Sequence, residues 1–364
     1  MKNIPNSLTQ IALQKFKKNK TGVFSFWFIV ICGLVAIFAY SLAPDNSSNA
    51  NQMHLEIHSK KPGFKVLMLT IPSTTNFNQS FIDKLVYGDK NQVTEIPISA
   101  YKLTKTELIV NSYAEQNTES LSKHFPLTQF KNQPITAFVQ TKKFYLGTDK
   151  YGRDMLSRML VGTRISFFIG FIAVFISLLI GISVGAIAGY FGGKVDNLIM
   201  WFINITWSIP TLLLVIAITL ALGKGYWQVF IAVGLTMWVE VARVVRGQIM
   251  STKELQYVEA AKALGFSSFR IIFNHILPNI MAPVIVISAA NFAGAILIES
   301  GLSFLGIGAQ PPTPSWGAMI KDHYSYIILG KAYLAIIPGL AIMSLVMAFM
   351  LIGNALRDAL DVKN

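Results

Sequence analysis

The sequence has one cysteine, Cys32, and few charged residues, which make up 13% of its 364 residues. A single cysteine cannot form a disulfide within the chain, so no disulfide framework is available. Cys32 lies in an apolar run, where a small hydrophobic side chain is the simplest interpretation. The low charge and the 53% of hydrophobic residues exclude an ordinary soluble protein and favour a membrane protein.

Motifs for nucleotide, metal and nucleic-acid chemistry are also missing. The sequence contains no Gly-x-x-x-x-Gly-Lys-[Ser/Thr] loop, which predicts that the chain hydrolyses no nucleotide itself. His54 and His58 are four residues apart, but His124 is the only other histidine in that region, so solvated surface histidines are expected. The net charge of +13 comes without a basic stripe interleaved with aromatics, so basic cytoplasmic loops of a membrane protein explain it better than nucleic-acid binding.

Six apolar runs are long enough to cross about 30 Å of hydrocarbon as helices. They cover residues 23–42, 165–191, 198–222, 227–245, 281–298 and 332–355. Pro210 in the third run predicts a kink or break. The pattern Gly185-Ala-Ile-Ala-Gly189 in the second run predicts close helix packing. Glu240 and Arg243 in the fourth run are three residues apart and predict an ion pair on one helical face.

An even number of spans places both termini on one side of the membrane. Lysines just before the first run, and the basic residues of segment 251–279, indicate that this side is the cytoplasm. A cleaved signal peptide is the alternative for the first run, but Pro44 after Ser41-Leu42-Ala43 disfavours cleavage. Four basic residues near the second run disagree with this orientation, although long translocated loops largely escape the rule. These residues are Lys150, Arg153, Arg158 and Arg164.

Residues 44–145 differ in character from the rest, because they contain no run of spanning length. Short β-prone segments at 64–71, 108–110 and 135–139 predict a small, mostly-β extracytoplasmic insertion, with a disordered loop as the alternative. The expected domains are therefore 1–43, with the first span, 44–145, the insertion, and 146–364, a core with five spans.

Residues 251–279, between the fourth and fifth runs, form the longest amphipathic segment. Apolar positions recur every three residues from 255 to 261, which predicts a short helix. Gly265 predicts a left-handed stop, Ser267 or Ser268 can cap a second helix, and Pro278 is expected to end it. The predicted product is a helix–turn–helix elbow, for which an interfacial helix without a partner is the alternative.

The residues of this elbow resemble the cytoplasmic EAA loop of ABC importer permeases, and Phe273 to Asn279 is more similar to the dipeptide, oligopeptide and nickel branch. In that family the loop docks on the ATP-hydrolysing subunit. The resemblance therefore implies an ATPase-coupling role for Glu259, Ala260, Ala261, Leu264, Gly265, Leu277 and Pro278.

Segments 146–166 and 299–317 are similar to the same branch. The first carries the charge pattern Asp149, Arg153, Asp154 and Arg158, for which a structural Arg–Asp lock is favoured over substrate contact. Glu299, at the outer end of the fifth run, either faces a translocation cavity or caps the loop after it. The candidates for a translocation path or external gate are Glu299, Asn291, Arg153 and Asp154.

The resemblance, to the C-type subunit of that branch, implies an all-α polytopic membrane protein with six transmembrane helices, a type I ABC importer permease. It implies a multi-pass protein of the bacterial inner membrane, working with a second permease subunit, two ATPase subunits and an external substrate-binding protein. ATP and Mg would belong to the ATPases, with no cofactor in this chain. Peptide is the expected substrate, and nickel or another small solute is the alternative.

Two other classes of protein fit the sequence less well than an importer permease. An ion-driven secondary transporter needs charged or unwound sites within its spans, and only Asn204, Pro210 and Asn291 offer them. An intramembrane enzyme is disfavoured, because no His/Glu metal pair or Ser/Lys dyad lies at matching depth in the runs. Residues 44–145 exceed what the branch usually shows at this place, and we expect them to touch the external binding protein.

Overall fold

The computed structural model describes residues 8–72, 77–90, 93–114, 121–130, 134–223 and 225–360. The chain divides into two compact units. The helical unit comprises Met1–Gly33, Ser166–Gln310 and Leu340–Asn364, and the sheet unit comprises Leu34–Ile165 and Pro311–Gly339.

Helices make up most of the described chain. In order they are α1 (Leu8–Lys18), α2 (Lys20–Ile37), α3 (Ala39–Leu42), α4 (Phe81–Tyr87), α5 (Met155–Phe191), α6 (Gly193–Ser208), α7 (Thr211–Leu222), α8 (Tyr226–Thr252), α9 (Gln256–Ala263), α10 (Ser268–Arg270), α11 (Met281–Leu305), α12 (Trp316–His323) and α13 (Tyr333–Leu360). A π-helical stretch, Ile271–Ile276, and a 3₁₀ turn, Leu277–Ile280, join α10 to α11. Further 3₁₀ turns are Ser48–Ala50, Leu55–Ile57, Leu127–Phe130, Ile135–Ala137 and Tyr324–Ile327.

Five helical segments of the described chain are long and apolar enough to cross a membrane. They are α2, α5, α8, the continuous run Ser268–Leu305, and α13. The pair α6 and α7 makes a sixth if it counts as one span, but its two helices meet at 91°. The break predicted at Pro210 is therefore confirmed, since proline has no N–H to continue the helical hydrogen bonds.

Several helices run past the predicted spans. α5 begins at Met155, before the predicted start of the second span at residue 165, and continues into it without a break. α8 likewise continues to Thr252 and α13 to Leu360.

Close packing joins α5 to α8 inside the helical unit. A Cβ atom added to Gly181 would lie 2.8 Å from the Trp238 carbonyl oxygen, and one added to Gly185 would lie 2.5 Å from the Ala242 carbonyl oxygen. A Cβ atom added to Gly189 would lie 2.8 Å from the carbonyl oxygen of residue 246, which is also on α8. The close approach predicted from the small-residue pattern is confirmed.

The sheet unit contains a five-stranded sheet of antiparallel pairs in the order β4-β3-β2-β1-β5. Its strands are β1 (Phe64–Ile71), β2 (Thr94–Leu103), β3 (Glu107–Ser112), β4 (Ser122–Pro126) and β5 (Val139–Phe144). β1 has the predicted bounds, and β3 contains the predicted segment 108–110. The segment 135–139 is mostly a 3₁₀ turn that starts after Pro134, whose fixed φ and missing N–H do not suit a paired strand.

Both faces of this sheet are covered by apolar side chains. Successive residues of a strand point to opposite faces, and the interior strand β1 buries Met68 on one side and Leu69 on the other. Met68 packs with Ile57 and Phe144. Leu69 packs with a second cluster that contains Ile98, Leu108, Val110, Phe130 and Val139. These two small cores hold together the β-sheet that was predicted for the insertion.

Candidate functional site

The elbow between α8 and α11 begins with α9 and turns at Gly265. The Gly265 N–H donates to the Lys262 carbonyl at 2.9 Å, and the Phe266 N–H donates to the Ala261 carbonyl at 3.2 Å. This is a Schellman C-cap, which needs a left-handed residue, and Gly265 has φ +78°. Ser267 then caps α10, its side chain accepting from the Arg270 N–H at 3.4 Å. The predicted helix, left-handed stop and serine cap are confirmed.

Pro278 does not end the second half of the elbow, contrary to the prediction. The backbone stays helical from Ser268 to Leu305 and changes from π-helical to 3₁₀ hydrogen bonding at Leu277. Pro278 stands in the first turn of the 3₁₀ segment, a position where a missing N–H breaks no helical bond. The elbow therefore continues into α11 without a loop.

The elbow buries one face and exposes the other. Ala261 and Leu277 of the predicted coupling residues are buried, within a cluster that also holds Val258, Ile271, Ile276 and, from α8, Val245 and Ile249. The other five predicted residues, Glu259, Ala260, Leu264, Gly265 and Pro278, are exposed. Leu264 has 74% of its surface accessible. The predicted set is thus divided between a packed base and an open surface.

Two phenylalanines extend this open surface. Phe269 is 70% exposed and packs on Phe273, with ring centroids 4.3 Å apart. An α-helical repeat would place both rings on one face with Ile272 and Ile276, but only the isoleucines are buried. The π-helical stretch has a longer hydrogen-bond repeat than the assumed α-helix, so the face shifts along it. A contiguous exposed apolar patch is typical of an interaction surface.

Polar contacts that the sequence analysis missed brace the elbow and the end of α8 that leads into it. The Asn279 amide donates to the Tyr257 hydroxyl at 3.2 Å, which ties the two arms together. Lys253 Nζ donates to the Gly189 carbonyl at 3.1 Å. Arg246 binds Asp196 through two hydrogen bonds of 2.5 and 2.6 Å. These partners are 22 to 64 residues apart in sequence, beyond the reach of local patterns.

Asn291 and Glu299, two predicted path residues, lie on α11. Asn291 is 3% exposed and lines a cavity of about 330 Å³ beside the α6–α7 break. Glu299 is buried and accepts a hydrogen bond from Ser303 at 2.7 Å, and Ser303 Oγ in turn accepts from the Ala309 N–H at 3.2 Å. Of the two predicted roles for Glu299, this geometry favours bracing of the loop after α11.

Arg153 and Asp154, the other two predicted path residues, belong to the sheet unit. Arg153 Nε donates to the fully buried Asp149 at 2.6 Å, and Arg158 Nε lies 3.7 Å from the same carboxylate. Asp154 accepts from the N–H and the hydroxyl of Ser157. Burial raises the pKa of Asp154, while these two hydrogen bonds lower it. The cluster has the form of the predicted Arg–Asp lock.

The histidines of the sheet unit differ from one another. His54 was expected at the surface, but it is 5% exposed and lies 3.8 Å from Glu95, so that prediction is wrong. Burial lowers the pKa of His54. His58 and His124 are exposed as predicted. Within the described residues, no group of three or more His, Cys, Asp or Glu side chains is placed to hold a metal ion.

Five or six candidate spans within the described residues, with an exposed elbow between α8 and α11, are the features of a polytopic membrane component. Residues 181–363 match the family described as binding-protein-dependent transport system inner membrane component. Residues 7–62 match the N-terminal TM domain of oligopeptide transport permease C. The chain belongs to the binding-protein-dependent transport system inner membrane components.

Relatives extend this assignment. The glutathione transport system permease protein GsiD of Pectobacterium atrosepticum is 41% identical over 219 residues, which are 60% of this chain and 72% of that protein. The dipeptide transport system permease protein DppC of Alkalihalophilus pseudofirmus is 42% identical over the same shares. The oligopeptide transport system permease protein OppC of Haemophilus influenzae is 42% identical over 60% of this chain and 70% of that protein.

A solved structure of the MetNI methionine ABC transporter in an inward-facing conformation is similar to this chain. The similar region covers 57% of this chain and 97% of the chain in that structure. The TM-score is 0.47 and the sequence identity 18%. A similarity of this size does not establish the fold.

Proposed function

We propose that this chain is the C-type permease subunit of an ATP-driven importer of di- and oligopeptides. The observation that carries the proposal is the elbow, which fixes Ala261 and Leu277 in a packed base and exposes Glu259, Ala260 and Leu264. The match to oligopeptide transport permease C and the relatives named for dipeptide, oligopeptide and glutathione transport support peptide as the substrate. Those names favour peptide over nickel.

The elbow would couple this chain to separate ATPase subunits, which supply ATP and Mg. Its open face would enter a groove on an ATPase, and the buried cluster would pass the movement to α8 and α11. A second permease subunit, two ATPases and an external binding protein complete the proposed assembly. The chain itself performs no hydrolysis in this scheme.

The proposed topology is six spans, counting α6 and α7 as one, in the bacterial inner membrane with both termini in the cytoplasm. Residues 1–43 would form the cytoplasmic N-terminus and first span, and residues 146–364 the permease core. The insertion 44–145 would then lie outside and contact the binding protein. We place Asn291 in the translocation path, and Glu299, Arg153 and Asp154 near its external gate.

A mild-detergent pull-down of the tagged chain from its native membrane tests the proposal. We expect mass spectrometry to find one or two ATPases with P-loop motifs, a second six-span subunit, and a binding protein loaded with peptide. Recovery of the chain alone, or as a homo-oligomer without an ATPase, would contradict the importer. Recovery of the whole assembly with nickel or another small solute would contradict only the peptide substrate.

A further inference from the structure

The cavity beside the α6–α7 break is lined by side chains from α6, α7, α8 and α11. Its volume of about 330 Å³ is at the lower end of the range for small-ligand sites, which begins near 300 Å³. Among its lining residues, Glu240 is the one carboxylate and Asn291 the one amide, and none carries a positive charge. A break in a span at such a cavity is a common setting for a substrate site.

Glu240 carries a carboxylate that its own helix does not neutralise. The ion pair predicted between Glu240 and Arg243 does not form, because Arg243 donates to Asn204 Oδ1 at 2.7 Å and lies 3.3 Å from the centroid of the Trp207 ring. Glu240 is exposed at this cavity, as an ionisable group within a span has to be unless a partner neutralises it. The cavity therefore favours a cation beside Glu240.

Two of the three hydroxyl groups of the lining also present acceptors. Thr206 donates its proton to the Phe202 carbonyl at 3.0 Å, and Thr236 donates its proton to the Val233 carbonyl at 2.8 Å. A hydroxyl that has used its proton offers only lone pairs to a ligand. The lining therefore suits a ligand group with several N–H donors and a positive charge.

Asn291 supplies the opposite chemistry. Its side chain is buried, and within the described residues its Nδ2 atom has no hydrogen-bond partner. A buried donor without an acceptor is destabilising, so a carbonyl oxygen that enters the cavity would relieve it. An ammonium group and a carbonyl oxygen occur side by side at the N-terminus of every peptide.

We propose that this cavity binds the free N-terminal end of a short peptide, with the ammonium group at Glu240 and the first carbonyl oxygen at Asn291. The proposal rests on the proposed function and adds a binding site within the permease itself. The lining contains no histidine, and imidazole is a ligand that suits nickel. The site therefore suits an ammonium group better than nickel.

The test is equilibrium binding to the isolated membrane complex in nanodiscs, without the external binding protein. The probes are radiolabelled Ala-Ala-Ala and N-acetyl-Ala-Ala-Ala, which differ in the ammonium group. We expect the wild-type complex to bind the unmodified peptide about tenfold more tightly, as the loss of one charge-assisted hydrogen bond implies. Glu240→Gln should abolish this preference, whereas Glu240→Asp should keep it.

Two further variants complete the design. Asn291→Ala should weaken both peptides by a similar factor of about ten, since both carry the carbonyl oxygen. Glu107→Gln, which removes an exposed carboxylate of β3, is the matched control and should leave the preference unchanged. Size-exclusion chromatography of each complex separates loss of binding from loss of assembly.

Three outcomes would overturn the site. They are a Glu240→Gln complex with the wild-type preference, a wild-type complex that binds neither peptide, and displacement of Ala-Ala-Ala by Ni²⁺ at equimolar concentration. ATP-driven uptake of Ala-Ala-Ala by the complete transporter distinguishes the two levels of inference. If the complete transporter takes up the peptide and any of these three outcomes is found, only the proposed binding site is contradicted. A complete transporter that takes up no peptide contradicts the proposed function.

Discussion

At Gly265 the backbone has φ +78°, and the space around an added Cβ is open to at least 4 Å. A larger side chain would therefore meet backbone strain rather than a steric clash. For residues other than glycine the left-handed conformation costs roughly 1–2 kcal/mol, and asparagine tolerates it best. The position thus tests the turn of the elbow separately from its packing.

We predict that Gly265→Leu reduces ATP-driven uptake by about tenfold or more, because the strain shifts the turn that sets the docking face. The amount of protein in the membrane should stay near the wild-type level, as measured by immunoblotting of membrane fractions. Gly265→Asn is the control and should retain most of the uptake. Normal uptake by the leucine variant would remove the coupling role of this turn.

His323 of α12 gives the sheet unit a dependence on pH. Its ring is 1% exposed, Nδ1 lies 2.7 Å from the Met319 carbonyl oxygen, and burial lowers the pKa of the imidazole. The unfolded chain, with a histidine pKa near 6.5, therefore binds a proton more readily than the folded chain does. Stability is accordingly retained above this pH and falls as the pH drops below it.

We predict that the midpoint of thermal unfolding falls between pH 7.5 and pH 5.5, and that His323→Gln makes this fall smaller. His54, whose pKa burial also lowers, should account for part of what is left. His124→Gln changes an exposed ring of β4 and serves as the control, with the wild-type slope. An equal slope in the His323 and His124 variants would contradict the assignment.

At the scale of elements, the sequence was most informative where a local signal sets the structure. Gly265, Ser267 and Pro210 each act on their own backbone, and the turn, the cap and the break were predicted from them. Two of the errors instead depend on residues far apart in sequence. Burial of His54 depends on the sheet beside Glu95, and the unpaired state of Glu240 depends on Asn204, which is 39 residues from Arg243.

The residues of the candidate site could be predicted from the sequence, but their burial could not. The motif identified the elbow residues, but it did not indicate that Ala261 and Leu277 would be buried while Leu264 would be exposed. That division depends on packing against Val245 and Ile249 of α8, which lie outside the elbow. The exposed Phe269 and Phe273 pair was missed because the sequence has no recognised signal for the π-helical stretch Ile271–Ile276.

The contact of α5 with α8 yields a prediction at this scale. A Cβ atom at Gly185 would lie 2.5 Å from the Ala242 carbonyl oxygen, so Gly185→Leu must force the two backbones apart. We expect a loss of stability of about 1–3 kcal/mol or more. The measurements are the thermal midpoint in detergent and the yield of assembled complex. Gly247→Leu, on α8 with open space around its Cβ, is the matched control, and equal losses in both would contradict the packing.

At the scale of the whole molecule, the sheet of the insertion begins and ends at neighbouring points of the chain. The Gly63 N–H donates to the Phe144 carbonyl at 2.9 Å and lies 3.2 Å from the Tyr145 carbonyl oxygen. The first residue of β1, Phe64, pairs with the last of β5, Phe144. The sheet can therefore be removed at residues 64–144 and the ends rejoined by a short glycine linker.

We predict that this deletion leaves assembly with the ATPases intact and weakens binding of the external binding protein by at least tenfold. The reason is that the sheet has its own apolar cores and is proposed to offer the contact surface. Surface plasmon resonance on nanodiscs measures the affinity, and co-purification of the ATPases is the internal control. Unchanged affinity together with unchanged uptake would exclude this role for the insertion.

The glycine contacts between α5 and α8 have a mechanical consequence. Gly181, Gly185 and Gly189 recur every four residues and bring the backbone of α5 directly against α8, so no α5 side chain separates the two helices at these three positions. Such a pair should bend and slide little, and behave as a stiff bar about 40 Å long, the length of α8 at 1.5 Å per residue. α9 begins at Gln256, just after α8 ends at Thr252, so the elbow sits at the end of that bar. A movement of the elbow would then displace the far end of α8 as well, because little of the movement would be lost in deformation of the helix pair.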